Sequence, residues 1–125
     1  MTDYRLILDQ QDKSNVAIVV QLPHLLATTQ DALDLMAEAR FSLDAEKLLI
    51  PISLVDPRFF DLSTGILGDI LQKWSNYQLK AAFIGDFSLF TSNTLPDFIY
   101  ESNRGSQFFF LPDEDQALQK LHSLK

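Results

Sequence analysis

Two short polar stretches hold the residues best suited to chemistry or recognition. In the first, Asp56 to Gly65, two carboxylates (Asp56, Asp61), one guanidinium (Arg58), two hydroxyls (Ser63, Thr64) and two rings (Phe59, Phe60) stand just ahead of a helical apolar pattern. A hydroxyl at a helix N-terminus can accept a phosphoryl group, because the helix dipole favours negative charge there. Ser63 and Thr64 are therefore the candidate phosphorylation sites, against a plainer reading in which Asp61, Ser63 or Thr64 caps the helix. The second stretch, Gly85-Asp86-Phe87-Ser88-Leu89-Phe90, sets a carboxylate beside two more rings. Exposed aromatics at a polar rim suit a protein partner, unless Phe87 or Phe90 folds back over the core. Gly65 and Gly68 are poor helix formers, costing about 1 kcal/mol each relative to Ala, which suggests close backbone approach by another element or a partner. The expected partner- or ligand-binding set is thus Phe59, Phe60, Asp61, Gly65, Gly68, Asp86, Phe87 and Ser88.

Other chemistries find less support. His24 and His122 lie at opposite ends of the chain without a carboxylate at metal-ligand spacing, and there is no cysteine, so no metal site, thiolate zinc or disulfide framework is expected. No Gly-rich phosphate loop occurs, and no cofactor is expected. Asp56, Asp61, Asp69 and Asp86 are the only carboxylates near these stretches that could pair for acid/base work. The net charge of -7 opposes binding to a phosphate backbone, which argues against nucleic acid. No apolar run reaches the roughly 18 residues of a membrane span. Met1 to Arg5 carry neither a basic leader nor an apolar signal core, from which a cytoplasmic location is expected.

The elements that must position these stretches follow from periodicity. Tyr4 to Leu8 and Val16 to Val20 are β-rich runs around a polar turn and predict a hairpin. Thr28 and Asp31 have capping-box spacing before Ala32, Leu35, Met36 and Ala39 on one helix face. Lys47 to Ile50 predicts a buried strand that ends or bulges at Pro51. Ile66, Leu67, Ile70, Leu71, Trp74 and Tyr77 predict the best-defined helix, and Ala81 to Ile84 a strand buried on both faces. Thr94 with Asp97 opens a third helix over roughly Leu95 to Arg104, stopped by a left-handed Gly105. Gln107 to Leu111 is the last strand, and Ala117, Leu118, Leu121 and Leu124 mark the last helix. The order ββαβαβαβα implies one α/β domain over residues 1–125, with a mixed, mostly parallel sheet flanked by helices. Loops at the carboxyl ends of parallel strands share one rim, where ligands usually bind.

Taken in order, Phe59 to Gly65, Gly68 to Lys73, Gly85 to Ser88 and Asp97 to Gly105 resemble the uncharacterised bacterial family called domain of unknown function 4180, which brings no activity with it. A more distant similarity is to STAS domains, the anti-sigma-factor antagonist type. Their Asp-Ser-Ser-Gly-like turn at the start of the second helix is phosphorylated by a partner kinase. Asp61-Leu62-Ser63-Thr64-Gly65 is similar but one residue longer, which leaves Ser63 and Thr64 both open as acceptor. That resemblance implies a SpoIIAA-like fold and a non-catalytic regulatory module that binds a protein partner. The alternative is a small-molecule sensor or enzyme using Asp61 and Asp86 as anchors at the same rim. A receiver-like phosphorelay is set aside, since Leu111-Pro112 stands where its lysine would be. Self-association as a homodimer through Phe108-Phe109-Phe110 stays open.

Overall fold

A computed structural model describes residues 3–124; the expectation drawn from Met1 to Arg5 rests in part on Met1 and Thr2, which lie outside the described residues. Strands β1 (Arg5–Gln11) and β2 (Ser14–Gln21) form the expected antiparallel hairpin, closed by a two-residue turn in which Asp12 takes the left-handed conformation (φ 56°). Helix α1 (Thr29–Leu43), β3 (Lys47–Pro51), α2 (Ile66–Asn76), β4 (Lys80–Ile84), α3 (Leu95–Asn103), β5 (Phe108–Leu111) and α4 (Glu114–His122) complete the predicted order. The five strands lie in the sequential order β1-β2-β3-β4-β5, with β2 to β5 parallel. The protein is a mixed α/β fold.

Sequential order decides the layering. Three right-handed crossovers stepping the same way must pass over the same face, so α1, α2 and α3 all pack there, around Leu35, Leu48, Ile50, Ile70, Trp74 and Phe83. Only after β5 does the chain cross to the other face, where Ala117 and Leu121 of α4 cover Val16, Leu49, Ala82 and Phe109. Helix α4 therefore starts at the carboxyl edge of the parallel strands and ends at their amino edge. The indole Nε1 of Trp74 donates to the Ala32 carbonyl at 3.0 Å, tying α2 to α1 inside the core. No helix of the described residues is long and apolar enough to cross a membrane.

The capping box forms as the spacing predicts. Thr28 Oγ1 accepts from the Asp31 amide at 3.0 Å, and Asp31 Oδ2 accepts from the Thr28 amide at 3.1 Å. The other carboxylate oxygen meets His24 Nε2 at 2.8 Å. Burial would raise the Asp31 carboxyl, but hydrogen bonds from His24 and from the Ala27 and Thr28 amides outweigh it and hold its pKa below the usual value. A depressed carboxyl contributes stability above its unfolded pKa and loses that contribution as pH falls through its folded pKa. The melting-temperature gap between wild type and Asp31→Asn should therefore be wide near pH 6 and should narrow below about pH 4. A gap that does not change with pH would count against this assignment.

Several local expectations need correction. Thr94 makes no side-chain cap on α3; its hydroxyl meets Ser92 Oγ at 3.2 Å instead. Gly105 is not among the left-handed residues, because α3 ends on Arg104 in right-handed geometry. A Cβ added at Gly65 or Gly68 would meet no other element within 4 Å. Gly65 instead supplies a φ of +76° that lets the chain turn into α2, and Gly68 sits on an exposed helix surface.

Strand β5 is an edge strand, yet Phe108, Phe109 and Phe110 are all buried, two facing one core and one the other. Its outer backbone is also occupied. Asn103 Oδ1 accepts from the Phe110 amide at 2.7 Å, its Nδ2 donates to the Phe110 carbonyl at 3.0 Å, and Ser102 Oγ donates to the Phe108 carbonyl at 2.7 Å.

Candidate functional site

At the carboxyl edge, the long connection after β3 is a run of short 3₁₀ turns at Ile52–Leu54, Pro57–Phe60 and Leu62–Thr64. Leu26 bridges to Val55 in this connection and anchors it to the chain leaving β2. An Asp begins three comparable turns, each time accepting the amide two residues on: Asp56 from Arg58, Asp61 from Ser63 and Asp86 from Ser88. Ser63 Oγ donates to Asp61 Oδ1 at 2.6 Å, and Ser88 Oγ donates to Asp86 Oδ1 at 2.5 Å. The Ser88 hydroxyl and amide lower the Asp86 pKa, and the Arg58 guanidinium and amide lower that of Asp56.

The Asp61 turn and the chain just after the Asp86 turn share this edge. Pro57, Asp61, Leu89, Phe90 and Thr91 line a groove of about 330 Å³ with Phe60 at its base. Phe60 reaches across, its ring centroid 4.6 Å from Phe90 and 5.6 Å from Phe87. The expectation that Phe59 and Phe60 face a partner is corrected: they are 0% and 1% exposed. Both rings point into the core because the 3₁₀ turn folds that segment back over α2 and β4. Phe87 is half-buried for the same reason, while Asp86 and Ser88 are exposed. Leu89, not singled out by its sequence context, is 71% exposed at the groove. Of the two hydroxyls, Thr64 Oγ1 accepts the Ile66 amide at 3.2 Å, ahead of α2, whereas Ser63 faces a carboxylate.

The opposite, amino edge holds a cluster that sequence reasoning missed. The carboxyl end of β1, the amino ends of β2, β3 and β4, and the end of α4 converge there. They bring together Ser14, Lys47, Lys80 and His122 around a cleft of about 630 Å³, with Asp9 behind His122. His122 has a side chain only 5% exposed, with Nε2 2.6 Å from Asp9 Oδ1 and Nδ1 2.8 Å from Ser14 Oγ. Lys47 Nζ donates to Ser14 Oγ at 2.8 Å and to the Leu124 carbonyl at 3.0 Å. Burial and the nearby Lys80 ammonium push the Lys47 pKa down. The signal available in the sequence was faint: a lysine heads each of two otherwise apolar strand segments, Lys47-Leu48-Leu49-Ile50 and Lys80-Ala81-Ala82-Phe83. No group of three or more metal-type ligands occurs among the described residues.

The model of a family described as "Domain of unknown function (DUF4180)" matches residues 11–121. No curated protein matches the chain.

Proposed function

The chain belongs to the DUF4180 family, and from that premise we propose that it is a STAS-like, cytoplasmic regulatory module whose carboxyl edge binds a protein partner and is switched by phosphorylation. The observation that carries this is the juxtaposition of the Asp61 turn with the segment after Asp86 around a groove exposing Leu89. An exposed apolar side chain rimmed by carboxylates and hydroxyls is the composition of a protein-binding patch. A small-molecule sensor has less support, because the Phe60 ring fills the space between the two turns.

Thr64 is the favoured phosphoacceptor. A phosphate on its hydroxyl would lie at the positive end of α2, whereas one on Ser63 would stand against the Asp61 carboxylate. A photo-crosslinking residue at position 89 should give a discrete protein adduct in cells, and one at exposed Tyr100 on α3 should not. Thr64→Glu should change the yield of the position-89 adduct. Equal adducts from both positions, or none from position 89, would remove the carboxyl edge as the binding surface.

A further inference from the structure

Chemistry fixes the direction of the Lys47 hydrogen bonds at the amino edge, and the protonation of His122 sets the others. An ammonium only donates, so Ser14 Oγ accepts from Lys47. When the His122 ring is neutral and carries its proton on Nε2, the Ser14 hydroxyl donates to its other neighbour, Nδ1 of His122, 2.8 Å away. In that neutral ring Nε2–H donates to Asp9 Oδ1, whereas a protonated ring would donate from both nitrogens and Ser14 Oγ would accept twice. A hydroxyl, a base to take its proton and a carboxylate to orient the base is the arrangement of an activated nucleophile, with the two ring nitrogens in exchanged places. A mere clamp between hairpin and final helix has no need of an opening. Yet Ser14 is only partly buried and lines the cleft with Lys13, Asn15, Lys80 and Ser123.

We propose that Ser14 is a nucleophile that accepts the acyl group of a small, polar carboxylic ester. Ser14 Oγ attacks the carbonyl carbon while its proton passes to His122 Nδ1. Lys47 gives two of the three hydrogen bonds its ammonium can donate to described groups, leaving an N–H for the oxygen that becomes negative. The C–O bond to the alcohol then breaks, and His122 returns the proton to the departing oxygen. Water repeats the sequence in reverse: it gives a proton to His122, attacks the acyl carbon and releases a carboxylic acid with the Ser14 hydroxyl restored. Asp9 is a positioning residue acting through His122. Apart from Leu124 the residues lining the cleft all have polar or charged side chains, which favours short polar acyl groups over long alkyl chains.

The test uses the purified full chain and a fluorophosphonate probe, read by intact mass and peptide mapping. The expected result is one adduct, on Ser14, absent in Ser14→Ala and formed about a hundredfold more slowly in His122→Gln. Should His122→Gln fail to fold, Asp9→Asn keeps the polar contact and serves in its place. It should lower the maximal labelling rate while leaving the half-saturating probe concentration unchanged, a split that a purely structural role would not produce. No adduct on Ser14 of the folded wild type, an adduct on another residue only, or equal rates in wild type and Asp9→Asn would each overturn the assignment.

Discussion

Phe60→Ala should destabilise the protein by about 3–5 kcal/mol, the range for removing a fully buried aromatic ring. Phe60 is 1% exposed and lies within 6.5 Å, centroid to centroid, of Phe59, Phe83, Phe87, Phe90 and Phe110. Its loss removes transfer free energy and leaves a cavity that neighbours held by β4 and β5 cannot easily fill. Phe87 and Phe90 are the exception, since they belong to the connection after β4 and can collapse inward. The carboxyl edge should therefore loosen more than the rest of the fold. Urea unfolding should give the loss in stability. Hydrogen exchange should show the Ser88 and Leu89 amides opening at lower free energy than those of β4. A destabilisation under about 1 kcal/mol would mean that the ring is not the keystone of this edge.

Gly85→Ala is the second large effect, by a different route. Gly85 sits at φ +149°, a backbone region that L-residues rarely adopt, and a Cβ added there would lie 2.5 Å from Ile52 Cδ1. Overpacking costs about 1–3 kcal/mol and backbone strain a similar amount, so a total loss of about 2–6 kcal/mol is expected. The two contributions separate in a double variant. Ile52→Ala removes the clash but leaves the strain, so the effect of Gly85→Ala should be smaller in that background without vanishing. Chemical denaturation of the four proteins in the cycle measures this. A Gly85→Ala effect of the same size with and without Ile52 would show that the clash contributes nothing.

The parts of the fold that were legible in the sequence rest on local signals. The Thr28 and Asp31 capping box, the Ile66 to Tyr77 periodicity and the break at Pro51 each depend on residues within a few positions of one another, and each formed as expected. The carboxyl edge was half legible. Topology placed the Asp61 and Asp86 turns together, but the exposure of Phe59 and Phe60 was misjudged, because 3₁₀ turns rotate side chains inward without leaving a periodic pattern. The amino-edge cluster was not legible at all. His122 meets Asp9 and Ser14 across sequence separations of 113 and 108, and only the path of α4 across the sheet closes that distance. Neither histidine has a carboxylate at metal-ligand spacing along the chain, whereas the structure gives each of them one through space.

The hydrogen bonds from Asn103 to Phe110 act as a stub of a sixth strand and seal that margin of the sheet. With one margin sealed and β1 at the other, strand addition between copies has a single usable seam. Two molecules joined β1 to β1 would exhaust it, giving a closed pair with two-fold symmetry. An open-ended fibre, which requires two reactive seams per molecule, has no second place to grow.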